Sequence, residues 1–302
     1  MIDIGRLRAL HAVALYGSVN RAAEVLGYTP SAVSQQLAKL ERETKTTLVE
    51  RQGRGIVLTD AAHQLASTAA RVLELLEDAE LTLEEQRGQA IGTLSIAAFP
   101  TATRGLLPPV LSRLIDDQPQ LDVRVLETDP FEAVTAVNRG EIDIAIVHDW
   151  HNTPLALPEG LSRVKLGNDP ADVLVPATHR LAGKEFVRAE DLVGERWICQ
   201  PVGSICHEWL IRTMRRAGVE PEVAYSVAEY QTQLAILARG IGIGLLPRLG
   251  RGPLPDGVVA VPLQPAPSRR LYAVWRTTTS RRPAISVTLA TLKTAWPDRD
   301  TA

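Results

Sequence analysis

The residues best placed to do chemistry lie within residues 18–41. There Thr29, Pro30, Ser31, Ser34, Gln35 and Lys39 set hydroxyls, an amide and an ammonium on one side of a helix-spaced run. Ala32, Val33, Leu37 and Leu40 recur near i, i+4, i+7 on the other side, as a core-facing stripe does. Small polar side chains allow close approach to a DNA groove, and a carboxamide can meet a base edge while hydroxyls and cations meet phosphates. The chemistry implied is recognition, not bond breaking. Taken alone, the same pattern also fits a helical hairpin with a solvated outer face, so the surrounding elements must decide.

Other chemistries find little support. The six histidines (11, 63, 148, 151, 179 and 207) have no metal-ligand spacing, and no Ser, His and Asp set has the arrangement of a nucleophile and its base. No catalytic or metal residues are assigned, so an enzyme is the poorer class. The run Gly240-Ile-Gly-Ile-Gly-Leu-Leu-Pro247 is not a nucleotide loop, because its glycines precede a strand instead of leading from one into a helix. Cys199 and Cys206 leave a thiol-based redox sensor as the alternative. Cys206 falls at a predicted helix start, where a thiolate is favoured.

Several elements must position the polar face. Ser18 is a good N-cap and Gly27 a good helix stop, while Thr29 caps the next helix with Pro30 at its first position. Ile4, Leu7, Leu10, His11, Ala14 and Leu15 predict a supporting helix before the pair. After it, Gln52-Gly-Arg-Gly55 reads as a turn between short extended pieces, a wing presenting Arg51 and Arg54 to phosphates or a minor groove. Residues 1–60 hold eight Lys and Arg against six Asp and Glu, whereas the whole 302-residue chain has a net charge of −2, so the slight basic excess sits with the reading head. Ala62, Leu65, Ala69, Val72, Leu76, Ala79 and Leu83 then form a sustained heptad, which wants a partner helix and predicts a dimer on a two-fold operator. Residues 87–92 read as a hinge.

Residues 1–87 resemble the N-terminal half of LysR-type transcriptional regulators. The matching pieces are Leu7-Arg-Ala-Leu-His-Ala-Val13, Gly17-Ser-Val-Asn-Arg-Ala-Ala23, Ser31-Ala-Val-Ser-Gln-Gln-Leu37, Leu40-Glu41, Glu50-Arg51 and Leu58-Thr59. The sequence departs from the family where Lys45 stands in place of glycine, at Val49 for phenylalanine, at Ala62 for glycine, and at Thr29 for glutamine. The last departure bears on base preference.

The remaining residues alternate strand and helix, which predicts a parallel sheet with helices on both faces. Two such lobes resemble the type 2 periplasmic-binding-protein architecture of the LysR effector domain. Pro100-Thr-Ala-Thr103, Thr178-His-Arg-Leu-Ala182 and residues 238–247 match that family in place. The fold class is therefore multi-domain: an all-α winged helix-turn-helix over 1–59, a linker and dimerisation helix over 60–87, and an α/β two-lobed effector domain over 88–302. Lobe I is expected over about 93–163 and 269–302, lobe II over about 164–268.

The resemblance implies double-stranded DNA as partner, a homodimer or homotetramer, contact with RNA polymerase, and no cofactor beyond a small-molecule co-inducer. Strand ends and helix N-termini favour anions, so an anionic metabolite is expected between the lobes. Thr101, Thr103 and Thr128 of lobe I, with Gly203, Ser204, Tyr230 and Gln231 of lobe II, are the expected contacts. Arg104 is a candidate partner for a carboxylate. Closure of the lobes on that effector would bias the assembly and its bend of DNA. With no apolar leader, no run long enough to span a membrane and two cysteines, a cytoplasmic protein is expected.

Overall fold

A computed structural model describes residues 2–52 and 55–296. It divides into two compact units, residues 1–86 and 87–302.

The first unit opens with α1 (Ile4–Tyr16), α2 (Val19–Leu26) and α3 (Pro30–Thr44). Their ends follow from the predicted caps. The Ser18 hydroxyl accepts from the Arg21 amide, Gly27 closes α2 at φ 67°, and Thr29 Oγ1 accepts from the Ala32 amide with Pro30 next in line. Leu10, Ala22, Ala23, Val33, Leu37 and Leu40 are buried together, so the stripe on α3 faces the core while Ala32 is only half-buried. The wing follows as β1 (Val49–Gln52) and β2 (Gly55–Leu58), an antiparallel pair. Glu41 ties it to α3, its carboxylate accepting from the amides of Leu48 at 2.8 Å and Val49 at 3.1 Å.

Lys45 ends α3 in the left-handed region at φ 52°, the one described residue other than glycine with positive φ. That conformation brings Cβ against the carbonyl and strains any L-residue with a side chain. Lys45→Gly should therefore stabilise the first unit by about 0.5–1 kcal/mol, the relieved strain exceeding the extra entropy of an unfolded glycine. Thermal unfolding of the full chain, resolved for this unit, measures it; an unchanged or lower midpoint would mean that the Lys45 side chain makes compensating contacts.

The long helix α4 (Asp60–Arg87) completes the unit. Ala62, Ala66 and Ala69 are buried against α1–α3, with Leu65 packed on the same cluster. The start of the predicted heptad thus lies in its own domain, because the alanines let α4 approach closely. Val72 and Leu76 are half-buried; Ala79 and Leu83 are exposed.

The second unit runs β3 (Gly92–Ala98), α5 (Pro100–Gly105), α6 (Leu107–Asp117), β4 (Leu121–Glu127), α7 (Pro130–Asn138), β5 (Ile144–Trp150) and β6 (Leu161–Pro176), then β7 (Arg196–Cys199), α8 (Ile205–Arg216), β8 (Glu222–Ser226), α9 (Tyr230–Leu237), β9 (Ile243–Pro247), β10 (Val258–Pro262), β11 (Ser268–Arg276) and α10 (Pro283–Ala295). The strand order is β4-β3-β5-β11-β6-β9-β7-β8, with β10 on β6. Strands β4, β3 and β5 pair in parallel, as do β9, β7 and β8, but β11 is antiparallel to both β5 and β6, and β6 is antiparallel to β9 and β10. The expectation of an all-parallel sheet fails at these crossover strands, which carry the chain between lobes without an intervening helix. Strand β6 pairs with β11 from Leu161 to Pro170 and with β9 from Ala171, so the passage between lobes falls later in the chain than residue 163.

Strand alternation builds two cores at once. Ile144 and Ile146 point into a cluster with α5, α6 and α10, while Ala145 and Val147 point into one shared with α7 and lobe II. The glycine-rich run behaves as a helix stop and strand start. Gly242 has φ 68°, and a Cβ there would lie 2.6 Å from the Arg196 carbonyl oxygen.

Candidate DNA-reading face and interlobe cleft

On α3 the structure leaves Ser31, Ser34, Gln35 and Lys39 exposed, with Thr29 and Pro30 at the helix start. The hydroxyls are not equivalent. Thr29 Oγ1 accepts a backbone hydrogen bond and keeps its proton for an outside acceptor, whereas Ser34 Oγ donates to the Pro30 carbonyl at 2.9 Å and offers only lone pairs outward. Gln35 therefore holds the one carboxamide on this face able both to donate and to accept. Tyr28, 53% exposed just before the helix, belongs to the same surface and was not singled out by the sequence pattern. Arg54 and the side chain of Arg51 lie outside the described residues. On α4, Ala69 is a core residue of the first unit and Leu65, half-buried, packs on that core, whereas Val72, Leu76, Ala79 and Leu83 lie beyond it with surface for a partner.

In the second unit a cleft of about 520 Å³ opens between the lobes, within the range of small-molecule sites. Thr101, Thr128, Gly203, Ser204 and Tyr230 line it as expected. Thr103 and Gln231 do not. The Thr103 hydroxyl turns back to the Phe99 carbonyl, and the Gln231 carboxamide donates to the Arg251 carbonyl at 3.4 Å. Arg104 is also engaged elsewhere, donating to the Gly250 carbonyl and lying 4.0 Å from Glu229.

The floor is built from groups the sequence pattern did not mark. Arg269 on β11, 1% exposed, pairs with the equally buried Asp169 on β6 at 2.8 Å and donates to Thr101 Oγ1 at 2.6 Å. Asp169 also accepts from the Leu249 amide at 2.8 Å, so β11 and the segment after β9 converge on one carboxylate. The Arg269 guanidinium lies over the Phe99 ring at 4.7 Å, and His148 meets that ring edge-on at 4.6 Å. Burial, reinforced by the Arg269 charge, pushes the His148 pKa well below its ordinary value and holds the ring neutral. His148 stands near the C-terminal end of β5, where ligands of open α/β sheets gather, and that position was a usable signal. Arg269 offered none, because its place depends on an antiparallel crossover.

A neutral buried histidine links stability to pH. The unfolded chain takes up a proton near 6.5, the folded ring resists it, and so the contribution is complete above 6.5 and declines as pH falls below it. Between pH 7 and 5 the second unit of the native protein should lose more stability than that of His148→Gln; parallel slopes in urea titrations at both pH values would refute this.

The wall of lobe I is acidic. Asp129 caps α7 by accepting from the Phe131 amide at 3.0 Å, and Glu132 accepts from Thr128 Oγ1 at 2.7 Å. Burial raises the Asp129 pKa, the Phe131 hydrogen bond opposes this, and the Glu132 charge adds to the rise. At the far end Tyr230 donates to Cys206 Sγ at 3.5 Å. Both cysteines are free, and burial pushes the Cys199 thiol up to about 12 and raises that of Cys206 as well. A thiolate at the start of α8 is not favoured, because desolvation of Cys206 outweighs the Arg269 charge and the Tyr230 hydrogen bond.

An exposed helix-turn-helix with a wing, joined in one chain to a two-lobed sheet with a cleft, has the build of a DNA-binding head with a ligand-binding domain. The chain belongs to the LysR-type transcriptional regulators: residues 4–63 match the bacterial regulatory helix-turn-helix protein, lysR family, and residues 87–297 the LysR substrate binding domain. A relative, the probable HTH-type transcriptional regulator LrrA of Synechococcus elongatus, is 30% identical over 89% of each chain. Among solved structures, full-length OxyR from Pseudomonas aeruginosa aligns with TM-score 0.72 at 22% identity, over 97% of this chain and 95% of that one. Full-length CbnR complexed with its target DNA aligns with TM-score 0.54 at 21% identity, over 98% and 100%. At these identities the structural likeness speaks for the fold alone.

Proposed function

We propose that this regulator binds a dyad-symmetric promoter site as a dimer or tetramer, and that a small-molecule effector seated between the lobes alters the assembly, its hold on DNA and the access of RNA polymerase. The observation that carries the reading is the polar face of α3, where Gln35 and Ser31 stand exposed above a core formed by Val33, Leu37 and Leu40. Thr29, Pro30, Ser34, Lys39, Arg51 and Arg54 complete the DNA surface, and Val72, Leu76, Ala79 and Leu83 of α4 form the paired seam. Leu75 and Leu83, 71% and 55% exposed, support an uncovered apolar strip there. No helix among the described residues is long and apolar enough to cross a membrane, in keeping with a cytoplasmic regulator. No cofactor beyond the effector and no turnover belong to this reading.

Protection of the DNA upstream of the protein's own gene is the direct test. Two protected half-sites one helical turn or a multiple apart are expected, and absence of any protected site at low salt would reject the reading.

A further inference from the structure

The cleft walls differ in charge. Glu127 at the end of β4, with Asp129 and Glu132 at the start of α7, sets three carboxylates on the lobe I wall. Arg269, the lining guanidinium, is already matched by Asp169, and the lining His148 is uncharged. Of the helix starts on the cleft, those of α7 and α8 are capped by side chains, whereas the short α5 has no side-chain cap. Asp129 fills the N-terminus of α7 with its own carboxylate, and the Ser204 hydroxyl accepts from the His207 amide at the start of α8. An arriving anion would meet like charge on the lobe I wall.

A second feature points to a ligand independently of the acids. His148 is 2% exposed and lines the cleft, yet its Nδ1 has no hydrogen-bond partner. A buried ring nitrogen left unpaired is costly, and a bound molecule with a complementary group relieves that cost. Phe99, Phe131 and Tyr230 add aromatic surface, which suits an organic cation through the negative faces of the rings. The cleft also exceeds what a lone metal ion needs, and no group of three potential metal ligands occurs among the described residues.

We infer that the cleft takes a small organic ligand bearing a protonated amine, its ammonium held against Asp129 and Glu132 and its other end completing the hydrogen bonding of His148. This rests on the reading of the cleft as the effector site. It inverts the charge expected from strand ends and helix dipoles, because the lobe I wall carries three carboxylates and Asp129 fills the start of α7.

Three probes of one shape separate the charges: phenethylammonium, 3-phenylpropionate and 2-phenylethanol, titrated into the full chain at fixed ionic strength. Trp150 and Trp209, stacked at 4.6 Å, border a small cavity that also contains the cleft residues Cys206 and Tyr230, so their fluorescence reports binding alongside the thermal midpoint. The ammonium should bind about tenfold or more tightly than the carboxylate, as expected for a cation beside one half-buried and one exposed acid. That advantage should vanish in the double variant Asp129→Asn, Glu132→Gln. The variant should fold, since asparagine caps as well as aspartate and Glu132 is exposed; its unliganded midpoint verifies this. Equal or tighter binding of the carboxylate, or no discrimination among the three including silence from all, overturns the assignment. A carboxylate whose binding is lost in His148→Ala would leave the cleft as the effector site and sink only the charge class. The footprint on DNA decides the regulatory reading separately.

Discussion

Replacing Arg269 with methionine should destabilise the second unit by about 3–5 kcal/mol, the scale observed when one partner of a buried ion pair is removed. The cause is the charge left behind. Asp169 is 1% exposed, and without the guanidinium it keeps only the Leu249 amide as a donor, while Thr101 loses its partner from Arg269. Asp169→Asn in the same background should recover a large part of the loss, because the amide needs no counter-charge. The double change Arg269→Met, Asp169→Leu should come closer still to the native stability if the cavity repacks. Equilibrium urea unfolding of the four proteins compares them. A single Arg269→Met change costing under about 1 kcal/mol would mean that solvent reaches Asp169 and that the pair is not sealed in the cleft floor.

The position of that pair explains what could be read from the chain and what could not. Strands β3 and β5 announce themselves as apolar runs and β4 as an alternating one, and α2 and α3 carry local stop and start signals in Ser18, Gly27, Thr29 and Pro30, so short-range chemistry suffices to locate them. Arg269 and Asp169 lie far apart in sequence and meet because β11 runs antiparallel beside β6. Nothing local to either residue signals that encounter. The seven expected cleft residues show the same divide. Thr101, Thr128, Gly203, Ser204 and Tyr230 sit at strand ends or helix starts that face the opening, whereas Thr103 and Gln231, only one or two residues from true lining positions, turn their side chains onto nearby carbonyls. On α4 the heptad spacing is real, but spacing cannot distinguish a partner helix from the protein's own core. Ala62 and Ala69 meet the core because small residues allow α4 to nestle against α1–α3.

Gln35→Ala should change which base pair is preferred at one position of each half-site, at a cost of about 1–3 kcal/mol against the native operator and little against unrelated DNA. The geometry supplies the reason. Gln35 is exposed one turn beyond Ser31 on a helix whose start is fixed by the Thr29 cap and whose inner face is pinned by Val33 and Leu37, so its carboxamide projects from a rigid base. Ser34 cannot substitute for it, its proton being committed to the Pro30 carbonyl. Arg54, in the sequence between β1 and β2, provides the contrast: a cation meeting phosphates contributes equally to every sequence. Arg54→Ala should therefore weaken specific and non-specific binding together and reduce the slope of log affinity against log salt by about one. Affinities of both variants, measured on operator and scrambled duplexes over a series of salt concentrations, separate the two roles. If Gln35→Ala lowered affinity for both duplexes alike and flattened the salt dependence, Gln35 would be a backbone contact, and base reading would pass to Ser31, Thr29 or the exposed Tyr28 at the entrance to α3.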